Sequence, residues 1–244
     1  MNERGRPAAV LLDVGGIFHL PDHEVVAGAC ERAGAPLDRA RVDIDLAHYT
    51  ATTAFRTDYT GEMPWESYWN TYIDIYATTL GIDADHDFRA DAVEHLHSEF
   101  STAAIWKRII PGSVDGLRAL LATGVRVGVI SNADGFVAQR LREQEVLQVG
   151  PGIGVEVECI IDSGEVGVSK PDPRIFHIAL DAMGLEAEQC WYVGDMPGID
   201  VCGARAAGMP VLVMDPFGVH PADSDFDTVR SLHDVAKLVD ASSR

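Results

Sequence analysis

CWYVGDMPGIDVCGARAAGMPVLVM, residues 190–214, decides the fold class. CWYV reads as a buried strand, the residues up to Ala207 as a helix closed by Gly208, and PVLVM as a second strand. Strand, helix and strand in so short a span imply parallel pairing across a sheet face. The alternation continues toward the N-terminus. A helix over 173–183 is closed by Gly184, CIID (159–162) is a short strand, and a helix covers about 134–144. VRVGVIS (125–131) is a strand, and before it Ser113 is the expected N-cap of a helix carrying Val114, Leu117, Leu120 and Leu121 to a stop at Gly124. AAVLLDV (8–14) is the first strand, running into a turn at Gly15-Gly16. Between about 19 and 105 the texture changes to helical stretches without strand-like runs, with Trp65, Tyr68, Trp69, Tyr72 and Tyr76 spaced along one helix face. The expectation is an α/β fold: a Rossmann-like parallel sheet with helices on both faces, formed by 1–18 and 108–244, and an inserted all-helical segment at 19–107.

Composition narrows the function. The 244 residues contain 47% hydrophobic and 23% charged residues, the balance of a folded domain. Lys and Arg number 19 against 38 Asp and Glu, a net charge of -19 that repels nucleic acid and anionic membrane surfaces. The same field repels a phosphorylated substrate, so an anion site has to be built locally from a cation, a few basic side chains and backbone amides. Cys30, Cys159, Cys190 and Cys202 form no CxxC pair and read as buried free thiols. The apolar run of the N-terminus is too short for a signal peptide or membrane span, which makes the cytoplasm the expected location.

Asp13, Ser131-Asn132 and Asp195 each follow a predicted strand directly, and Lys170 precedes a helix from a loop. Singly, each has a plain reading: Asp13 as a turn cap, Ser131-Asn132 as the N-cap of the next helix, Lys170 as a solvated loop lysine, Asp195 and Asp200 as helix-entry acids. Parallel strands gather them at one sheet edge, where ligands bind in folds of this kind. A carboxylate nucleophile, hydroxyl and amide donors, an ammonium and a second carboxylate are what metal-assisted phosphoryl transfer needs.

LLDVGG, VISNAD, SKPDPRIF and VGDMPGIDVCGARAAGM, in that order, resemble the four motifs of the haloacid dehalogenase superfamily, and the insertion resembles its C1-type helical cap. The resemblance implies a phosphatase-like hydrolase for a small-molecule phosphomonoester, working through an aspartyl phosphate on Asp13. Mg2+ would be held by Asp13, the Gly15 carbonyl and Asp195, with Asp200 in support. Ser131, Asn132 and Lys170 would serve the phosphoryl group, Lys170 also restraining Asp13. The family's phosphatases carry a second Asp two positions after the nucleophile as general acid and base; this chain has Gly15 there. Proton transfer is worth about 10²–10⁴ in rate, so substrates with leaving groups that need no proton, such as acyl or aryl phosphates, are expected. His19 is a substitute by proximity alone.

Three rivals stand beside this reading. Dehalogenases of the superfamily also lack the second Asp, but their metal-binding Gly-Asp is altered, whereas Gly194-Asp195 is intact. The phosphonate-cleaving branch needs a cap lysine, and no lysine precedes Lys107. A weakly active or inactive member would bind a ligand or protein partner through its cap. Among the insertion's arginines, 32, 39, 41, 56 and 89, Arg56 lies near the aromatics and is the candidate grip for an anionic substrate group, with a surface arginine as the plainer reading.

Overall fold

A computed structural model describes residues 5–38, 43–57 and 65–242. Its strands are β1 (Ala9–Leu12), β2 (His19–Pro21), β3 (Trp106–Ile109), β4 (Arg126–Ser131), β5 (Leu147–Val149), β6 (Val155–Val157), β7 (Ile160–Asp162), β8 (Cys190–Gly194), β9 (Val211–Met214) and β10 (Asp227–Val229). Its α-helices are α1 (His23–Arg32), α2 (Ile44–Thr52), α3 (Trp65–Thr79), α4 (Arg89–Phe100), α5 (Ser113–Ala122), α6 (Val137–Glu143), α7 (Ser163–Val166), α8 (Pro173–Met183), α9 (Pro197–Ala206) and α10 (Leu232–Ala241).

Six strands form one sheet in the order β10-β9-β8-β1-β4-β7, and every pairing in it is parallel. Both faces are covered, which is why β1, β8 and β9 are buried at every position rather than alternating with exposed polar residues. In β1, Val10 and Leu12 pack with Leu117, Leu120, Val235 and Val239 of α5 and α10. Ala9 and Leu11 face the other way, onto Ile175, Phe176 and Leu180 of α8 and Val201 of α9. A third cluster holds α1–α4 together around Tyr72, Tyr76, Leu96 and Phe100, and reaches Met196 and Ile199 of the core.

Several local expectations are corrected. The 19–105 stretch is not free of strands: β2 lies in it and pairs antiparallel with β3 just beyond it, where the chain leaves for α1 and returns from α4. Segments of three and four residues are too short to show a period. Ser113 is not the cap of α5 but its first residue; Gly112, with φ 79°, holds the cap position, and the Ser113 hydroxyl donates to the Ile110 carbonyl. Helix α6 starts at Val137, and its entry is capped by Asp162, whose Oδ2 accepts from Gly135 N and Val137 N at 3.0 and 3.1 Å, so Ser131-Asn132 is no N-cap. Beyond residue 214, β10 and α10 extend the sheet edge and its cover. The four cysteines are free thiols, three of them buried. No described helix is long and apolar enough to cross a membrane.

Candidate active site

Strands β8, β1 and β4 are neighbours, so the residues at their carboxyl ends meet. Asp13 follows β1, Ser131 ends β4, and Asp195 follows β8; all three are buried. Lys170 arrives on the loop before α8, fastened to the β4 end by Asn132. The Asn132 amide accepts from Lys170 N at 2.8 Å and donates to Lys170 O at 2.9 Å.

Two glycines admit the carboxylates. A Cβ on Gly16, whose φ is +65°, would stand 2.3 Å from the Asp195 carboxyl carbon, and one on Gly194 would stand 2.2 Å from that of Asp200. Gly15 differs: a Cβ there would meet only the Trp106 ring, at 3.7 Å.

Lys170 is 2% exposed, and its Nζ lies 2.7 Å from Asp13 Oδ2, 2.8 Å from Asp200 Oδ1 and 2.8 Å from the Tyr192 hydroxyl. An ammonium has three N–H bonds, so these partners use all of them. The Tyr192 hydroxyl donates to Asp200 Oδ1 at 3.1 Å, and Asp200 Oδ2 accepts from the backbone N–H groups of Asp195 and Met196. Asp200 is thereby a fully engaged strut inside α9, more than a helix-entry acid. Asp195 Oδ2 lies 2.8 Å from His48 Nε2, reached from α2.

Burial pushes the Asp13 carboxyl up to about 7, aided by Asp200 and Asp195 and opposed by Lys170. Burial also raises Asp195, opposed by its contact with His48. Burial acts to lower Lys170, but the Asp13 and Asp200 carboxylates outweigh it and hold it charged. Oxygens of Asp13, Asp195 and Asp200 lie within 4.8 Å of one another, three carboxylates against one fixed ammonium. The surplus negative charge and the all-oxygen donor set fit a hard divalent cation.

A cavity of about 660 Å³ opens over this edge, with Asp13, Gly15, Ser131 and Lys170 on its core side and Trp69, Phe100 and Trp106 facing them. Of the aromatic stripe, Tyr72 and Tyr76 are buried in the cluster that holds α1–α4 together, Trp69 lines the cavity, and the Trp65 side chain lies outside the described residues. Arg56 is exposed and is not among the described residues that line the cavity; its backbone packs on Gly198. Arg39 and Arg41 lie outside the described residues. Among the described residues, the arginine that lines the cavity is Arg140, paired with Asp134.

His19 lines it as well, donating from Nε2 to Gln144 Oε1 at 2.6 Å, because the Gln144 amide nitrogen is turned to the Lys107 carbonyl. Sequence reasoning missed Tyr192, concealed in an apolar strand, and His48 and Tyr49, concealed in a helix whose contacts only the fold decides.

The chain is 36% identical over 132 residues to a phosphoglycolate phosphatase of Rhodospirillum rubrum, covering 52% of each chain. It is 32% identical over 157 residues to the human haloacid dehalogenase-like hydrolase domain-containing protein 3, covering 63% of this chain and 59% of that one. The chain thus spans little more than half the length of these curated relatives. Among solved structures, a HAD-superfamily hydrolase of Ehrlichia chaffeensis superposes with a TM-score of 0.59 at 17% identity, covering 98% of this chain and 99% of that one. A model of the haloacid dehalogenase-like hydrolases matches residues 9–208, the whole span from β1 to the turn after α9, and the chain belongs to that family.

Proposed function

We propose that the protein is a Mg2+-dependent phosphatase that removes phosphate from a small-molecule phosphomonoester, with Asp13 as nucleophile and residues 19–107 as its cap. The observation that carries this reading is the surplus of buried carboxylate around one lysine, Asp13, Asp195 and Asp200 against Lys170. An arrangement so unfavourable by itself is accounted for if a cation completes it. The named activity of the Rhodospirillum relative, phosphoglycolate phosphatase, supports the same chemistry.

Mg2+ would be held by Asp13, the Gly15 carbonyl and Asp195, with Asp200 behind. When bound it supplies the positive charge that lets a carboxylate approach an anionic phosphoryl group. Asp13 attacks phosphorus, the leaving oxygen departs, and water then hydrolyses the aspartyl phosphate. Lys170 favours the ionised form of Asp13 and aims it; with all its N–H bonds committed, it meets a phosphoryl oxygen only by releasing one partner. Ser131 offers a hydroxyl to that group from the cavity wall, and Asn132 acts at one remove by fixing the Lys170 loop.

No carboxylic acid stands at position 15, and His19 does not replace it. Burial lowers its pKa, so it is neutral, and its N–H is spent on Gln144. The preferred substrates are therefore acyl or aryl phosphates. Dehalogenation of 2-haloacids, which needs no acid either, is the second reading, favoured by Gly15 alone.

The test is phosphate release from p-nitrophenyl phosphate and from acyl, sugar and nucleotide phosphates, with Mg2+ or EDTA, beside halide release from 2-haloacids. EDTA-sensitive phosphate release that is fastest with activated phosphates is the expected result. Halide release indifferent to EDTA would move the chain to the dehalogenases, and silence in both assays would favour a binding role.

A further inference from the structure

We infer that His48 is a positioning residue through which the cap sets the orientation of Asp195, so that divalent-cation binding and the seating of α2 on the core are coupled; this rests on the metal reading proposed above. His48 is completely buried, and both its ring nitrogens are engaged: Nε2 lies 2.8 Å from Asp195 Oδ2 and Nδ1 lies 2.7 Å from the Tyr72 hydroxyl. A carboxylate only accepts, so Nε2 carries the proton it donates, and Tyr72 on α3 faces the other end of the ring. The rings of Tyr49, Tyr72 and Trp106 stand edge-on around it, at centroid distances of 5.0, 6.1 and 5.4 Å, and pack the imidazole in place.

One oxygen of Asp195 is thereby assigned to the cap, and the other is left to act as a ligand. The next residue acts on the same site. Tyr49 donates to the carbonyl of Gly16 at 2.7 Å, in the turn that also carries Gly15. Consecutive residues of one cap helix thus hold two of the backbone and side-chain features that would frame the cation. The mechanism described for the reaction does not use either of them.

Groups that orient a metal ligand without touching the metal change affinity by about 10–100-fold when removed. Coupling between two sites is reciprocal, so whatever the seated α2 contributes to cation binding, the cation returns to the seating of α2.

The experiment titrates MgCl2 into the metal-free full chain by calorimetry, for the unaltered protein, His48→Leu, His48→Gln and Tyr72→Phe, with a melting temperature for each in EDTA. Amide exchange of α2 is followed with and without Mg2+. Leu fills the space but donates nothing, so its affinity falls about 10–100-fold. Gln presents an amide N–H near the place of Nε2 and recovers most of the loss. Tyr72→Phe disturbs the same cap pocket while leaving Nε2 on Asp195, so it melts lower without a matching loss of affinity. Mg2+ slows exchange of α2 in the unaltered protein.

Equal affinity in His48→Leu, or a Gln variant as weak as Leu at an unchanged melting temperature, overturns the inference. Should Leu prevent folding, an α2 whose exchange ignores Mg2+ in the unaltered protein overturns it equally. Failure of the unaltered protein to bind Mg2+ removes the metal reading and the inference together, whereas Mg2+ binding indifferent to residue 48 removes only the inference.

Discussion

Among the described residues, two groups of three side chains bring potential ligand atoms within 4.8 Å of one another: Asp13, Asp195 and Asp200 at the sheet edge, and Asp83, Asp85 and His86 between α3 and α4. By proximity they are equals. The second lies within four consecutive residues, its aspartates are exposed, and the His86 ring is already used, Nδ1 accepting from Asp83 N at 3.1 Å. Water satisfies its carboxylates at little cost. The first is assembled from β1, β8 and α9, is buried, and is braced by Lys170, Tyr192 and His48. Desolvated charge is expensive, so the sheet-edge group carries a free-energy demand that a cation can meet. Ligand spacing alone does not make a site; enforced burial of like charge does.

The largest expected effect separates the two groups outright. Asp13→Asn lowers kcat for phosphate release by about 10⁴–10⁶, as loss of a nucleophile does elsewhere, while Asp85→Asn leaves it unchanged. Steady-state assay with p-nitrophenyl phosphate checks both, and loss of activity in Asp85→Asn would break the contrast.

Next in size is Lys170→Met. Asp13 and Asp200 then face each other without their shared counter-charge, and urea unfolding at pH 8 in EDTA is expected to report a loss of about 3–5 kcal/mol.

A smaller effect follows from Asp13 alone. Its folded pKa, about 7, exceeds the ordinary value of 3.8, so the folded chain binds more protons than the unfolded one between those values. Stability from this group is complete below about pH 4 and is lost as pH rises through about 7. In EDTA, Asp13→Asn should therefore melt above the unaltered protein at pH 8, with the gap closing as pH falls toward 4; a gap that widens on acidification would contradict the charge-surplus account.

The adjacent glycines give the smallest and most selective test. Gly15→Asp has room against Trp106, and by restoring an acid it should raise turnover of alkyl relative to aryl phosphates by up to about 10². Gly16→Ala has none, because its Cβ would overlap Asp195, and it should lower the melting temperature and the activity on every substrate.

Much of this was legible in the residues themselves. Apolar runs ending in Asp13, Ser131 and Asp195 carried the sheet and its edge, because the length of a buried strand and the polar residue that follows it are local properties. Gly184, found closing α8 with φ 63°, was likewise legible, since only local backbone geometry is involved. Less legible were β2 and β3, whose pairing joins residues far apart in sequence, and Asp162, which caps the start of α6 from 25 residues further along the chain, at the end of β7. Arg56 shows the limit from the other side: proximity in sequence to an aromatic stripe did not bring it to the cavity, and Arg140 stands there instead.

Sequence alone thus determined which groups could do chemistry, since a carboxylate, an ammonium and a glycine keep their properties wherever they stand. It also determined what was absent, the acid at position 15. Only the tertiary structure decided which groups face one another: that Lys170 spends every N–H on Asp13, Asp200 and Tyr192, and that His48 of α2 meets Asp195. Burial, and with it the shift of Asp13, arises from contacts between elements distant in the chain, and these do not exist until the sheet and its helices have packed.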